Sequence, residues 1–372
     1  MIKGFKAMKL TRFNKIHKEL NAKLVDFAGY EMPVQYSSII AEHKAVRSSA
    51  GVFDVSHMGE FFVEGPEAEK LVNYITTNDV TKLFDGKVQY STMLYENGGI
   101  VDDLLVYRFN QNKFMLVVNA SNIEKDFNWV TSNNKFDCTV VNKSDDYNIL
   151  AVQGPKSKEI MQELFKINID LEYYTFYTNL VNYKGIEILI SRTGYTGEHG
   201  YELYFTGDEN QCTTLWKDIF EIGEKYNLVP AGLGSRDSLR LEVAYCLYGN
   251  EITQDTNPLE AGLGWITKIN KGDFIGREAL LKFKEKGYTR KLVGLVSDEK
   301  CFPRHGVEVT ANGDVIGVVT SGTVSPMLNY PIALAYVKVD FADEGTIVNF
   351  KIRDKEFPAR VVKIPFIKNN AF

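Results

Sequence analysis

The amino-terminal part of the chain alternates between helical and extended hydrophobic spacing. Phe13, Ile16 and Leu20 recur at the interval of one helix face and predict a short helix. An extended segment ending at Pro33 follows, and a second helix is predicted around residues 39–46. These elements, within residues 9–50, are expected to form a small lead-in unit.

Residues 54–136 have the pattern of an α+β unit in which strands and helices alternate. The run EFFVEG has the composition of a short strand, and Pro66 stands where the first residue of a helix is favoured. Two strand-like runs flank the Asn-Gly-Gly sequence at residues 97–99. Asn-Gly indicates a hairpin because both residues of such a turn need a positive φ angle. A third strand, FMLVVNA, and a helix near residues 123–130 complete the unit.

A second α+β region follows, and the pattern then becomes almost entirely β. YNILAVQG, IEILISR and GYELYF predict strands, residues 156–165 and 213–226 predict helices, and a Gly-rich loop leads into a further helix in PAGLGSRDSLRLE. Residues 276–287 predict a connecting helix. From Lys291 onward, strand-like runs at regular spacing, with Asn-Gly at residues 312–313 as a hairpin turn, predict six strands in a barrel or a sandwich.

The composition is that of a globular protein of roughly two to three domains. The 372 residues are 44% hydrophobic and 24% charged, close to the average for packed domains. Lys and Arg number 43 against 48 Asp and Glu, so the net charge is −5 and the pI is near 5.7. No overall positive field attracts phosphates, and nucleic acid is not expected as a partner.

The sequence shows no pattern typical of export or of membrane insertion. MIKGFKAMKLTRF lacks the apolar run of a secretory signal, and no later stretch approaches the length of a membrane span. The cysteines, Cys138, Cys212, Cys246 and Cys301, are far apart and form no CxxC motif. We therefore expect a soluble, cytoplasmic protein that does not act on membranes.

Several familiar catalytic and metal-binding motifs are missing from the sequence. It contains no GxxxxGK[ST], HExxH or GxSxG motif and no strand-GxGxxG-helix arrangement. Asp54, Ser56 and His57 are the residue types of a catalytic triad, but neighbours in an extended segment alternate in direction and cannot form a relay. The five histidines provide no pair at ligand spacing, so no metal site is expected.

Two adjacent aspartates interrupt the apolar strand predicted over residues 100–109. Both faces of this strand are otherwise apolar, and each receives one aspartate, Asp102 or Asp103. Burying an unpaired carboxylate is costly, so at least one of them needs a hydrogen-bonding partner, a ligand or an opening to water. The residues alone leave two roles open, a catalytic one and a cap on a backbone N–H in the mouth of the hairpin.

Glu202 and Arg236 are weaker candidates when judged from the residues alone. In GYELYF the apolar side chains occupy the odd positions, so Glu202 points toward solvent or toward a cleft. Arg236 lies in the first turn of a predicted helix, with Ser235 as the expected cap. The helix dipole disfavours a cation there unless an anion or an acceptor lies opposite. A surface position is the default expectation for both.

A series of segments, taken in this order, resembles the aminomethyltransferase (T-protein) family of the glycine cleavage system. The segments are LVDFAGYEMPVQYSSIIAEHKAVRSSAGVFDVSHMGE, VQYSTML, NGGIVDDLLVY, VVNASNIEKD, LAVQGP, RTGYTGEHGYELY, GLGSRDSLRLEVAYCLYGNEI, NPLEAGLGWITK, GVVTSGTVSP and VVKIPF. Together they cover almost the whole chain, and their common order makes the resemblance specific.

The resemblance implies an α+β fold with three domains around a central folate cavity. A discontinuous folate-binding α+β domain would comprise residues 1–53 and 137–275, and a ferredoxin-like insert residues 54–136. A connector helix and a C-terminal β-barrel or jelly-roll-like domain would comprise residues 276–372. This layout agrees with the two α+β regions and the β-rich end that the hydrophobic pattern predicts.

The resemblance also implies a reaction between a carrier protein and a folate. In the family, the carbon of an aminomethyl group on the lipoyl arm of H-protein passes to tetrahydrofolate, giving 5,10-methylenetetrahydrofolate, ammonia and dihydrolipoyl H-protein. The implied partners are lipoylated H-protein and tetrahydrofolate as co-substrate, with no metal and no pyridoxal phosphate. A fixed carboxylate would stabilise the positive charge that develops beside the pteridine and would accept or orient a proton.

Site residues are carried over from the family at the matching positions of this chain. The catalytic carboxylate is expected at Asp102, the first of the pair, and Asp103 receives a structural role. The donor and acceptor edge of the pterin suits a carboxylate and an arginine, which map to Glu202 and Arg236. Glu202 is preferred to Glu198 because a strand fixes a side chain better than a Gly-rich loop does. The side chains expected to line the cavity are Tyr90, Met58, Asn119 and Tyr195.

The chain departs from the family at its carboxyl terminus, and two other functions share the scaffold. Some members place an aromatic ligand contact after the PF dipeptide, whereas this chain ends PFIKNNAF without a tyrosine. A folate-dependent O- or S-demethylase would need no protein-borne arm. A non-catalytic folate-binding protein that maintains iron-sulfur enzymes would carry a cysteine in a K-G-C-Y type motif. In this chain the corresponding stretch is AYCLYGNE, in which Cys246 is expected to pack in a helix.

Overall fold

The computed structural model describes residues 8–372, which fall into two compact units. The first unit contains the chain up to Glu60, the segment Lys143–Asp237 and the last three residues, Asn370–Phe372. The second contains Phe61–Asn142 and Ser238–Asn369. The three-domain boundaries at residues 53, 136 and 275 remain a prediction.

Helices and strands alternate along the first two thirds of the described chain, and strands predominate in the last third. The helices are α1 (Asn14–Glu19), α2 (Ile39–Ser48), α3 (Ala68–Ile75), α4 (Ile123–Ser132), α5 (Ser157–Phe165), α6 (Glu209–Gly223), α7 (Leu233–Glu242) and α8 (Arg277–Lys286). The strands are β1 (Lys23–Phe27), β2 (Tyr30–Gln35), β3 (Gly51–Asp54), β4 (Gly59–Glu64), β5 (Val88–Leu94), β6 (Ile100–Asn110), β7 (Lys113–Val118), β8 (Thr139–Asn142), β9 (Tyr147–Gln153), β10 (Val181–Tyr183), β11 (Ile186–Ser191), β12 (Gly200–Thr206), β13 (Val229–Pro230), β14 (Arg290–Val296), β15 (Glu308–Ala311), β16 (Asp314–Val324), β17 (Pro331–Lys338), β18 (Ile347–Ile352) and β19 (Lys355–Val362).

A six-stranded mixed sheet forms the framework of the first unit. Its spatial order is β10, β11, β12, β9, β3 and β13, and only β3 and β13 run parallel. Helices α5 and α6 contribute to the same apolar core as the sheet, which includes Ile160, Leu203 and Trp216. Because this core holds one side of β12 in place, the polar residues on the other side of that strand are held rigidly.

A five-stranded sheet forms the first part of the second unit. Its spatial order is β5, β6, β7, β4 and β8. The order β8-β4-β7-β6, with α3 after β4 and α4 after β7, is that of a ferredoxin-like β-α-β-β-α-β arrangement, and β5 extends its edge. Leu71 of α3 and Val130 of α4 belong to the same apolar core as Leu104 of β6. The ferredoxin-like arrangement expected for this part of the chain is therefore present.

The carboxyl-terminal strands close into a six-stranded barrel. Its order is β14, β17, β16, β15, β18 and β19, and β14 pairs with both β17 and β19. Apolar side chains such as Leu295, Val319 and Phe350 form its core. Closure satisfies the hydrogen bonds of both edge strands, which a sandwich would leave open. The prediction of six strands is confirmed, and the barrel is the correct one of the two architectures that the pattern allowed.

The two Asn-Gly sequences form different turns. Asn312 and Gly313 have φ angles of 55° and 84° and link the paired residues Ala311 and Asp314, as a two-residue hairpin turn requires. In the other hairpin only Gly98 has a positive φ angle, 87°. Asn97 instead accepts a hydrogen bond from the Gly99 N–H through its side chain, at 3.0 Å. The expectation of two positive φ angles was wrong for this second turn, because the asparagine side chain replaces a backbone contact.

Three local predictions need correction. The extended segment before Pro33 is a hairpin of β1 and β2, which turns at Ala28 and Gly29, both with positive φ angles. Ser235 lies within α7 and donates its hydroxyl to the carbonyl of Gly232 at 2.8 Å, so it does not cap the helix. Cys246 is buried in the loop after α7, which ends at Glu242, and is not in a helix.

Within residues 8–372, no helix combines the length and the apolar character needed to cross a membrane. None of the four cysteines forms a disulfide, and three of them are buried. The cytoplasmic location remains a prediction.

Candidate active site

The two aspartates of β6 differ in burial. Asp102 is fully buried, with 0% of its surface exposed, whereas Asp103 is partly exposed. Both lie in the five-stranded sheet of the second unit, where Asp103 is paired with Thr92 of β5 and Asp102 with Met93. The sequence predicted that at least one carboxylate of this pair needs partners, and both have them.

Asn119 links the two aspartates. Its side-chain amide donates to Oδ1 of Asp102 at 2.9 Å and to Oδ1 of Asp103 at 2.8 Å, and its backbone N–H donates to Oδ2 of Asp102 at 3.1 Å. Asn122 donates a further hydrogen bond, from Nδ2 to Oδ1 of Asp102, at 2.7 Å. Both asparagines belong to the short segment between β7 and α4. This segment therefore supplies the donors that stabilise a negative charge on Asp102.

Tyr90 of β5 holds Asp103 from a different direction. Its hydroxyl donates to Oδ2 of Asp103 at 2.9 Å. The Tyr90 ring lies 6.1 Å from the ring of Trp265, measured between centroids, and 64% of the Trp265 surface is exposed. Tyr90 thus contacts both the partly exposed carboxylate of Asp103 and the exposed ring of Trp265.

A third carboxyl group, Asp126 on α4, contacts Asp102. Asp126 is fully buried, and neither of its oxygens accepts a hydrogen bond from an N–H or O–H donor of the described residues. Two ionised carboxylates in contact repel each other, and burial adds to the cost of a second charge, so one of the two holds a proton at neutral pH. Burial, together with the charge of Asp102, raises the pKa of Asp126 to about 11 and identifies it as the protonated partner.

Asp103 titrates close to neutral pH. Burial of its carboxyl group, with the negative charge of Asp102 as the second cause, raises the pKa of Asp103 to about 7. The hydrogen bonds from Tyr90 and Asn119 act in the opposite direction because they stabilise the carboxylate. Burial also raises the pKa of Asp102. A carboxyl group with a pKa near 7 can both hold and release a proton under physiological conditions.

In the first unit, Glu202 of β12 is a buried acceptor. Its Oε2 accepts hydrogen bonds from Thr193 Oγ1 at 2.6 Å and from the Tyr204 hydroxyl at 3.0 Å. Only 6% of the Glu202 surface is exposed, so the surface position expected by default was wrong. Both hydrogen bonds fix the same oxygen, which leaves Oε1 with no hydrogen-bond donor among the described residues.

Arg236 of α7 is the cation of the same unit. Its guanidinium lies over the ring of Tyr195, with the Cζ atom 4.8 Å from the centroid, and Nη1 is buried without a hydrogen-bond partner in the described part of the chain. Burial lowers the pKa of Arg236, and the charge of Glu202 opposes that shift. An unsatisfied buried guanidinium nitrogen is costly, so this atom is suited to a ligand acceptor.

His57 is neutral and faces this cation. Burial, with the charge of Arg236 as the second cause, lowers the pKa of His57 to about 4. Its Nδ1 atom is buried without a partner in the described residues. Asp54 lies 2.8 Å from His17 Nε2 through its Oδ2 atom and therefore pairs with a different histidine. The geometry agrees with the prediction that Asp54, Ser56 and His57 form no catalytic relay.

Glu198 forms contacts that hold the Gly-rich loop in place. Its Oε1 atom lies 3.0 Å from Nη1 of Arg47, and the two side chains are only 3% and 4% exposed. Asn370 donates to both carboxylate oxygens of Glu198, at 3.3 and 3.2 Å, and its backbone N–H donates to the Gly197 carbonyl at 2.8 Å. Both carboxylate oxygens of Glu198 are thus hydrogen-bonded within the first unit.

The predicted site residues fall into two groups. Asp102, Tyr90 and Asn119 interact within the second unit, and Glu202, Arg236 and Tyr195 lie close together in the first. Met58 is half-buried and directly follows His57.

The sequence reasoning missed Asn122 and Asp126. Asn122 directly precedes α4, and Asp126 lies in the first turn of that helix. Because the two residues are four positions apart, both side chains lie on the same side of the helix, next to Asp102. This spacing is visible in the segment VVNASNIEKD. It was the signal that could have identified them.

Comparisons with known proteins agree over nearly the whole chain. A model named GCVT N-terminal domain matches residues 13–271, and one named glycine cleavage T-protein C-terminal barrel domain matches residues 290–368. The aminomethyltransferase of Halothermothrix orenii is 53% identical over 361 residues, covering 97% of this chain and 100% of the relative. That of Flavobacterium psychrophilum is 49% identical over 364 residues, with 97% and 100% coverage.

A solved structure shows the same agreement in three dimensions. The crystal structure of glycine cleavage system aminomethyltransferase T from Bartonella henselae superposes with a TM-score of 0.90 at 34% identity, covering 98% of this chain and 99% of that one. Fold and site together define a class of α+β proteins with a carboxyl-terminal barrel and a buried carboxylate cluster. The chain belongs to the glycine cleavage T-protein family. The resemblance and the fold class predicted from the sequence are confirmed.

Proposed function

We propose that this chain is a tetrahydrofolate-dependent aminomethyltransferase of the glycine cleavage system. The observation that carries the proposal is its likeness, over 97% of this chain and 100% of each relative, to proteins named aminomethyltransferase at 53% and 49% identity. Its substrates would be the aminomethyl group on the lipoyl arm of H-protein and tetrahydrofolate. The products would be 5,10-methylenetetrahydrofolate, ammonia and dihydrolipoyl H-protein.

The pterin would be recognised by the buried polar groups of the first unit. A pterin edge offers neighbouring N–H donors and a carbonyl acceptor, which match the free Oε1 of Glu202 and the unpartnered Nη1 of Arg236. The ring of Tyr195 packs against the guanidinium, so Arg236 is oriented before a ligand binds. Two buried groups with unused hydrogen-bonding capacity support a bound heterocycle with the complementary edge.

Tetrahydrofolate supplies a nucleophilic amine, N5, that accepts the carbon. Positive charge develops as ammonia leaves, and a nearby carboxylate stabilises this charge in the transition state more than in the ground state. The surrounding Asn119 and Tyr90 donors fix that carboxylate in advance, so little reorganisation is needed during the reaction.

The sequence assigned this role to Asp102, and that assignment remains a prediction. The burial of the pair favours Asp103. Both aspartates accept hydrogen bonds at both oxygens, but Asp102 is fully enclosed, whereas Asp103 is partly exposed and has a pKa near 7. We therefore propose that Asp103 meets the substrate and that Asp102 sets its charge and position.

The alternative functions have less support. Burial raises the pKa of the Cys246 thiol well above its ordinary value, with the charge of Glu251 as a second cause, so this cysteine is protonated and unreactive. Such a thiol does not suit a protein that would use it in the maintenance of iron-sulfur enzymes. No observation on the described residues favours a demethylase.

One assay tests the proposed function. Purified protein is incubated with tetrahydrofolate and aminomethylated H-protein, and 5,10-methylenetetrahydrofolate and ammonia are measured. Matched reactions contain H-protein without its lipoyl group, or replace it with an O- or S-methyl donor. Product that depends on the lipoyl arm supports the proposal. Product from the methyl donors alone would identify a demethylase instead, and folate binding without product in any reaction would favour a non-catalytic protein.

A further inference from the structure

Asp126 is a buried carboxyl group that the proposed reaction does not yet use. It lies on α4, one residue after Lys125 and four residues after Asn122. None of its surface is exposed, and no N–H or O–H group of the described residues donates to either oxygen. Its neighbour is Asp102, another carboxyl group with no exposed surface. A buried carboxyl group without donors is stable only when it carries a proton.

The cation beside Asp126 does not replace that proton. Lys125 Nζ lies 3.6 Å from Oδ1 of Asp126, beyond hydrogen-bonding distance. The same ammonium group donates to the carbonyl of Val101 and lies 4.2 Å from the centroid of the Tyr248 ring. Its charge lowers the pKa of Asp126, but this effect is smaller than burial and the charge of Asp102, which raise that pKa. The other titratable groups that face Asp126 are Tyr95 and Tyr248, both neutral phenols at physiological pH.

The hydrogen bonds around Asp102 show what a proton on Asp126 would do. Asp102 accepts from the Asn119 N–H, the Asn119 amide and the Asn122 amide, and it contacts Asp126. The same Asn119 amide also donates to Asp103. The position of Asn119 thus depends on the charge and orientation of Asp102, and Asp103 is held by Asn119. A neutral Asp126 that donates to Asp102 would complete a series of hydrogen bonds from α4 to Asp103.

We propose that Asp126 is a positioning residue for the methylene transfer: its protonated carboxyl group donates a hydrogen bond to Asp102, which in turn orients Asn119 toward Asp103. The proton stays on Asp126, and no bond to substrate forms or breaks there. This inference rests on the proposed function for its catalytic consequence, but the protonation of Asp126 can be tested without it.

Substitutions of Asp126 distinguish a hydrogen-bond donor from a carboxylate that acts as a base. Asp126→Asn keeps the shape and an N–H donor toward Asp102, so kcat is expected within about threefold of the parent value. Asp126→Ala removes the donor, and kcat is expected to fall about 10- to 100-fold, the effect of losing a hydrogen bond to a charged group. The dissociation constant of tetrahydrofolate should change less than threefold in both variants. Glu124→Gln removes an exposed carboxylate from the same helix and is the matched control.

An equal loss of kcat in Asp126→Asn and Asp126→Ala would overturn the proposal, because Asp126 would then act as a carboxylate. Asp126→Leu fills a similar volume but offers no donor, so activity that is kept in Asp126→Asn and lost in Asp126→Leu supports a hydrogen-bond donor over a space-filling role, once the variants are shown to fold. Thermal unfolding of each variant provides that check.

Infrared difference spectroscopy tests the protonation directly, even if the alanine variant fails to fold. At pH 9 the parent spectrum minus that of Asp126→Asn should contain the carbonyl stretching band of a protonated carboxylic acid. Glu60, a second buried carboxyl group, is common to both proteins and cancels in the difference. A difference that shows only a lost carboxylate band would contradict the proposal. If the parent protein produced no methylenetetrahydrofolate, the proposed function would fail, and the infrared result would still decide the state of Asp126.

Discussion

The hydroxyl group of Tyr90 donates a hydrogen bond of 2.9 Å to Oδ2 of Asp103. This contact couples the partly exposed carboxylate to the strand beside it, β5. It also opposes the two influences, burial and the neighbouring charge of Asp102, that raise the pKa of Asp103 to about 7. The fraction of Asp103 that is ionised at neutral pH thus depends on burial, on Asp102 and on Tyr90, and the last two can be changed separately.

Removing the Tyr90 hydroxyl should make the reaction more dependent on alkaline pH. If the proposed reaction requires ionised Asp103, kcat/KM rises with pH through about 7 in the parent protein. Tyr90→Phe removes a donor that favours the ionised form, so this rise should move to higher pH by about one pH unit. The measurement is a pH–rate profile of each protein. A profile that keeps its position in Tyr90→Phe would show that Asp103 is not the titrating group.

Neutralising the two aspartates one at a time distinguishes their roles. Asp103→Asn should lower kcat by about 100-fold or more, because the charge that faces the substrate is lost. Asp102→Asn should lower kcat less and should also lower the pKa of Asp103, since it removes the negative charge beside it. The rise in kcat/KM would then move to lower pH. A larger loss in Asp102→Asn than in Asp103→Asn would restore the assignment made from the sequence.

Glu202 and Glu198 should respond differently to the same substitution. Glu202→Gln removes a charge proposed to face the pterin and should weaken tetrahydrofolate binding about 10- to 100-fold, as measured by calorimetry. Glu198→Gln removes the negative charge that pairs with the buried Arg47 and should lower the free energy of unfolding by about 3 kcal/mol. Its folate affinity should stay within about threefold. The reverse pattern would identify Glu198 as the ligand-binding glutamate.

The buried carboxyl group of Glu60 makes stability depend on pH. Burial raises the pKa of Glu60 well above its ordinary value of 4.5, and neither of its oxygens has a hydrogen-bond partner among the described residues. The folded protein therefore holds a proton that the unfolded chain releases above about pH 4.5. Folding stability consequently falls as pH rises above that value, by up to about 1.4 kcal/mol per pH unit from this group.

Glu60→Gln removes this dependence. The variant should match the parent protein near pH 4 and should be more stable than the parent at pH 8. Urea unfolding at both values measures the difference. An equal difference at pH 4 and pH 8 would show that Glu60 does not change its protonation on folding.

Much of the architecture was predictable because it depends on local hydrophobic spacing. The carboxyl-terminal strands and the helix before them, α8, were identified in this way. Barrel closure was not, because the pairing of β14 with β19 joins residues more than sixty positions apart, and strand spacing carries no information about such a contact. The same limit applies to the Asn-Gly turn at residues 97–99, whose shape depends on the Asn97 side chain.

The candidate site likewise contains features that could be predicted from the sequence and features that could not. A polar pair in an apolar strand identified Asp102 and Asp103 from sequence alone. Which of them is enclosed depends on Asn119 and Asn122, donors from a segment that follows a different strand. The identity of the protonated carboxyl group depends on Asp126, whose role appears only when α4 is packed against β6. Charge and burial at such a cluster are properties of the assembled fold.

A single-turnover experiment tests the central claim most directly. H-protein carrying a ¹³C-labelled aminomethyl group on its lipoyl arm is mixed with an excess of this protein and tetrahydrofolate. The account predicts that the label appears as the bridging carbon of 5,10-methylenetetrahydrofolate, that one ammonia is released for each carbon transferred, and that Asp103→Asn slows both equally. Label that stays on the lipoyl arm in the presence of the parent protein would contradict it.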